Sequence, residues 1–98
     1  MAVVFTRIAT PVPGRLAEAA EFMKKRAAAL KKAYGIDVQI NARFGGPVGQ
    51  VALVSYHDNL GQIEDLRRKI MADVAAGKIP TPADGLFSHA EDAVWLRM

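Results

Sequence analysis

Between residues 16 and 44 the hydrophobic period of the chain switches from helical to strand-like, and the switch falls on a glycine. Leu16, Ala20, Met23, Ala27, Leu30 and Tyr34 recur in steps of four, three, four, three and four, which places them on one face of a helix. Acidic Glu18 and Glu21 come early on the other face and Lys31 and Lys32 late, as the helix dipole prefers, and Gly35 stops the helix. Directly afterwards Ile36, Val38, Ile40, Ala42 and Phe44 alternate with Asp37, Gln39, Asn41 and Arg43. That is the period of a strand with one polar face. A chain carrying both periods in succession has to bury a helix stripe against a sheet face.

The remaining segments extend this pattern. Ala2 to Ala9 is apolar and β-branched and ends in the turn cluster Thr10-Pro-Val-Pro-Gly14, so it reads as a first strand. Gln50 to His57 is apolar on both sides, which predicts a strand at the centre of the sheet. Asn59-Leu-Gly-Gln62 resembles a capping box, with the Asn side chain accepting from a first-turn N–H and the Gln reaching back. The helix it opens has the stripe Leu60, Ile63, Leu66, Ile70 and Val74, and Gly77 closes it before Pro80 and Pro82. A loop is expected to about Glu91, then a last strand from Asp92 to Met98. The order βαββαβ is that of an α+β, ferredoxin-like domain spanning residues 1–98, an antiparallel sheet with both helices on one face.

A sheet covered on one face leaves the other to be explained. Depending on register, that face displays part of Val3, Phe5, Val54, Tyr56 and Trp95. A domain of this length buries only about 60–70% of its unfolded surface, yet 51% of its residues are hydrophobic. Both facts point to a homodimer packed sheet against sheet. No apolar run approaches the roughly 20 residues of a membrane span, and the opening Met1-Ala-Val-Val-Phe-Thr-Arg7 reads as a strand, not a signal peptide, so a cytoplasmic protein is expected. With no Cys in the chain, disulfides, thiolate metal sites and thiol catalysis are excluded.

Gly45-Gly-Pro-Val-Gly49 invites a phosphate-loop reading, but a P-loop needs Lys and Ser/Thr and a helix behind it, and here Gln50 and a strand follow. A turn between the second and third strands accounts for it. His57 lies where the third strand meets the second helix, a position suited to acid–base work, or to a histidine that only borders the helix. His89 falls in the expected loop, and two histidines without ligand spacing argue against a metal. The row Asp37, Gln39, Asn41 and Arg43 suits either a polar cavity or a wetted edge strand. Lys24-Lys25-Arg26 is read as a solvated helix face, not a nucleic-acid site, because Val51-Ala-Leu-Val-Ser55 lacks the base-stacking aromatics of an RNA-recognition sheet. Pro11 and Pro13 remove N–H donors from the position where acylphosphatases of this topology hold phosphate. Tyr56 and Trp95 suit core or interface as well as a ligand.

Two stretches, FTRIATPVPGRLAEAAEFMKK and GGPVGQVALVSYHDNLGQIEDLRRKIMAD, make the chain resemble the dimeric α+β barrel superfamily and, within it, the NIPSNAP-like proteins. The resemblance implies a homodimer with facing sheets and a pocket in each protomer between sheet and helices. Where that family carries aromatics near the end of the third strand, this chain has Ser55 and His57. The haem-degrading branch of the superfamily uses an axial histidine on the second helix; residues 59 to 76 contain none, and no cofactor is expected. Three readings follow. The first is a binder of a small, partly apolar organic molecule, with Arg7, Asn41, Tyr56, His57 and Trp95 as pocket residues. The second is a cofactor-independent monooxygenase or isomerase using His57 as base and Arg7 or Asn41 to polarise an oxygen. The third is an interaction module whose dimer face is its function.

Overall fold

The computed structural model describes residues 3–43 and 49–98. Its elements are β1 (Val3–Pro11), α1 (Leu16–Tyr34), β2 (Gln39–Ala42), β3 (Val51–His57), α2 (Leu60–Ala75) and β4 (Phe87–Leu96). The strands form one antiparallel sheet in the order β2-β3-β1-β4, with β3 in the interior as its two apolar sides require. This is the expected α+β, ferredoxin-like arrangement. The turn read at Gly45–Gly49 falls mostly outside the described residues, as do Ala2 and Phe44 at the ends of two expected strands.

Register decides which side chains share a face. Val3 pairs with His57, Phe5 with Ser55 and Arg7 with Leu53, so all six point to the helix side. Val4, Thr6 and Ile8, with Tyr56, Val54 and Ala52, point the other way. The tight core lies under α1, where Ala9, Met23, Val51 and Leu53 are buried against Phe22, Val38, Ile40 and Phe87. The Phe22 and Phe87 rings meet edge to face at 6.0 Å. Gly35 ends α1 in the left-handed region (φ 70), where an L side chain is disfavoured, and its N–H reaches Lys31 O at 2.9 Å. Asn59 caps α2 by accepting from Gln62 N at 2.9 Å, while the Gln62 side chain reaches back to Asp58 N, one residue earlier than an ordinary capping box. At the other end Lys78 N bonds Asp73 O and Gly77 N bonds Val74 O, a Schellman closure.

Three expectations need correction. The last strand begins at Phe87, not Asp92, so His89 is in β4, paired with Thr10, and not in a loop. As an edge strand β4 tolerates Ser88, His89 and Glu91 facing water, so its first half looks like a loop in the sequence. β1 in turn runs on to Pro11, admitted through a register shift after Thr10 that relieves the missing N–H. Finally, no residue of α2 is fully buried: Ile63, Leu66, Ile70 and Val74 are half-buried and Leu60 is exposed. Their stripe does face inward, but onto open space, because α2 stands off the sheet.

Part of what holds α2 there is the Tyr34 hydroxyl, which donates to the Asp73 carboxylate and ties the end of α1 to α2. Burial, and then this bond, push the Tyr34 phenol up to about 12. In a Tyr56→Phe background, leaving one tyrosine, ultraviolet absorbance titration is expected to place its midpoint at about 12. Adding Asp73→Asn should lower it in part, the share due to burial remaining; a midpoint unmoved by Asp73→Asn would refute the tie.

Candidate functional site

The space under α2 is a cavity of about 480 Å³ between the sheet and both helices. Strand alternation supplies its floor, with Phe5 and Arg7 from β1 and Leu53, Ser55 and His57 from β3. Helical spacing supplies its roof, with Arg26 and Leu30 from α1 and Ile63, Leu66, Arg67, Ile70 and Val74 from α2. Ile36 and Val38 close one side. Most of the wall is apolar, and its polar groups are few, as in ordinary small-molecule sites.

Those polar groups fall into two sets. In the first, the Ser55 hydroxyl and His57 Nε2 lie 2.8 Å apart, both residues buried (6% and 8% exposed). Burial lowers the His57 pKa, with the Asp58 charge opposing it, so the imidazole is neutral near pH 7. With Nε2 unprotonated, Ser55 donates to it; in the other tautomer Nε2–H donates to Ser55. Such a ring can accept a proton from a molecule in the cavity.

In the second set, Arg7 makes a forked pair with Asp92 of β4, at 2.7 and 3.0 Å. The Asp92 carboxyl is held below its ordinary range first by that hydrogen bond and then by the charges of Arg7, Arg67 and Arg26. Arg67 is 4.0 Å from the same carboxylate. Arg26 is half-buried and makes no hydrogen bond or ion pair to a side chain among the described residues. Burial and the nearby Arg7 charge lower its pKa, with Asp92 opposing them.

The residues singled out from the sequence therefore separate. Arg7 and His57 line the cavity. Asn41, Tyr56 and Trp95 lie on the opposite face of the sheet, since Asn41 pairs with Ala52, Tyr56 with Val4, and Val4 with Trp95. Trp95 Nε1–H donates there to Thr6 Oγ1 at 3.1 Å. The row Asp37, Gln39, Asn41 and Arg43 is solvent-exposed and flanks or occupies the edge strand β2. Ser55, Arg26, Arg67 and Asp92 were not anticipated as site residues. Two of them carried a signal: Arg26 sits three residues after Met23 and four before Leu30, and Arg67 four after Ile63 and three before Ile70. Both are charges at the spacing of an apolar stripe, Arg26 half-buried and Arg67 at the exposed rim of the cavity.

The buried neutral histidine makes a pH prediction. An unfolded histidine titrates near about 6.5, and the folded value is lower. Between the two values the unfolded chain holds a proton that the folded chain does not, so stability rises with pH across that window. The contribution is complete above about 6.5, declines as the pH falls through the window, and is constant below the folded value. His57→Gln is expected to flatten this part of a stability-against-pH curve from denaturant unfolding; a slope that persists would assign it to another group.

No protein-family model and no curated protein matches the sequence. Solved structures do match the fold. A NIPSNAP family protein from Agrobacterium tumefaciens superposes with a TM-score of 0.81 at 18% identity, over 100% of this chain and 94% of the other. An uncharacterized NIPSNAP domain protein from Burkholderia xenovorans gives 0.80 at 13%, over 98% and 94%. The heme-degrader MhuD from Mycobacterium tuberculosis, solved with two hemes bound in its active site, gives 0.74 at 16%, over 95% and 92%. At these identities what is shared is architecture, and this chain has the α+β, ferredoxin-like fold found in these NIPSNAP proteins and in MhuD.

Proposed function

We propose that the chain is a homodimeric barrel protein that binds a small, partly apolar organic molecule in the cavity between sheet and helices. The observation that carries this reading is the cavity itself: about 480 Å³, walled by Leu30, Val38, Leu53, Ile63, Ile70 and Val74, with polar groups at a few points. Empty apolar space under a helix is unfavourable for packing, and a ligand would supply the missing contacts. MhuD, of the same fold, has heme in its active site, which supports ligand binding as a use of this architecture. Here α2 has no histidine, and the cavity's His57 is engaged with Ser55, so the reading is an organic ligand without an iron. In this reading the second protomer covers the open sheet face, and the exposure of Tyr56 and Trp95 there, 60% and 58%, supports it.

A ligand at a hundredfold its Kd stabilises the native state by about 2.7 kcal/mol, which raises the Tm of a domain this size by roughly 10–20 °C. Differential scanning fluorimetry against a metabolite library is expected to find such a compound. No shift from any compound, with no molecule carried through native mass spectrometry, would leave the interaction module as the better account.

His57 gives one specific ground for an enzymatic reading, since it is buried, neutral and faces the cavity beside Ser55. In that reading it is the base of a cofactor-independent oxygenase or isomerase. Arg7 is neutralised by its forked pair with Asp92 and Asn41 is on the other face, so Arg26 is the better placed group to polarise an oxygen.

A further inference from the structure

Three arginines line the cavity, Arg26 half-buried inside it and Arg67 at its open rim with 64% of its side chain exposed. Each occupies an apolar-facing position of its own element: Arg7 alternates with Val3, Phe5 and Ala9, Arg26 falls between Met23 and Leu30, and Arg67 between Ile63 and Ile70. Three separate elements, β1, α1 and α2, thus each bring one arginine to the wall or rim of the same space. No Asp or Glu lines that space among the described residues. Asp92 stands beside it, and its two oxygens are committed to Arg7, with Arg67 at 4.0 Å. One carboxylate among three guanidiniums leaves two positive charges in excess. Arg26, half-buried and without a side-chain hydrogen bond to any described residue, is the least compensated of the three. A partly desolvated charge is unfavourable unless it is paired, and the fork of a guanidinium fits a carboxylate by two parallel hydrogen bonds.

We infer that the ligand is an organic carboxylate with an apolar body, its carboxylate held by Arg26 with Arg67 and its body lying along Leu30, Leu53, Ile63 and Ile70. The inference rests on the cavity-binding reading above and adds the charge of the ligand to it. Arg7 keeps its bond to Asp92 and serves as a positioning residue, fixing the carboxylate of Asp92 away from the incoming anion. His57 and Ser55, bonded to each other in the same wall, face the ligand without taking part in holding its carboxylate.

The test uses three probes of similar size, decanoate, decan-1-ol and decylammonium, each titrated calorimetrically, the two ions below their micelle concentrations and decanol below its solubility limit. Decanoate is expected to bind at least about tenfold tighter than decanol, the scale of a charge-assisted forked pair, and decylammonium weakest. Arg26→Gln should remove the preference of decanoate over decanol while leaving decanol binding in place, which also reports that the variant is folded. Arg26→Lys, which keeps the charge without the fork, should retain an intermediate preference, and it serves alone if the glutamine variant does not fold. Equal affinities for decanoate and decanol would overturn the carboxylate assignment and leave the binding cavity standing. A preference that survives Arg26→Gln intact would overturn the role of Arg26. If none of the three probes binds, the cavity reading and this inference fall together.

Discussion

Met23→Ala is expected to lower the unfolding free energy by about 2–5 kcal/mol, a large part of the roughly 5–15 kcal/mol that a domain holds in all. Met23 is 2% exposed and touches the cluster of Ala9, Val51 and Leu53 where α1 meets the sheet. Truncation there removes contacts on every side and opens a void that the surrounding strands cannot collapse to fill. The informative comparison is Leu66→Ala on α2. Leu66 has the same helical register toward the sheet, yet it is half-buried and faces the cavity, so its loss is expected near about 1 kcal/mol. Denaturant unfolding of both variants, compared at equal slope, measures the difference. Equal losses would mean that α2 packs as tightly as α1 in solution, and the cavity with its proposed ligand would have to be given up.

Trp95→Arg is expected to convert the proposed dimer to a monomer. Trp95 lies on the open face across Val4 from Tyr56, more than half exposed in the single chain, and its indole N–H is already satisfied by Thr6. An aromatic anchor at the centre of an interface is worth about 2–4 kcal/mol. In a two-fold interface the substitution occurs twice, so the total is about 4–8 kcal/mol, or a dimer Kd weakened about a thousandfold or more. The arginine side chain adds like-charge repulsion across the axis. Within one protomer the same residue is solvent-facing, so the fold is expected to survive. Light scattering after size exclusion, over a dilution series from micromolar concentration, is the measurement. A wild-type monomer, or a variant that stays as dimeric as the wild type, would each remove the sheet-to-sheet contact from the proposal.

The elements were legible where local period and local chemistry agreed. The steps from Leu16 to Tyr34, the glycine after them and the Asn59–Gln62 cap are all properties of neighbouring residues, and α1 and the start of α2 are found where they indicate. The two-sided apolar run from Val51 likewise marks an interior strand, because a strand with a neighbour on both edges shelters such a run best. The early start of β4 was not legible, since Ser88, His89 and Glu91 become a strand through pairing with β1 and carry no strand pattern of their own.

The candidate site shows the same division more sharply. Alternation along β3 states that Ser55 and His57 share a face and that Tyr56 takes the other, but both faces of β3 are apolar, so nothing local says which one the helices cover. The long-range register of Val3 with His57 and Phe5 with Ser55 makes that choice, and it sends Arg7 and His57 into the cavity and Tyr56 and Trp95 away from it. Arg26 and Arg67 stood at inward spacing all along. A charge inside an apolar stripe reads as solvated until the partner surface is known, because a helix records the direction of each side chain and not the distance to what lies opposite. That distance, the gap left beneath α2, brings arginines from three elements to the wall and rim of one cavity.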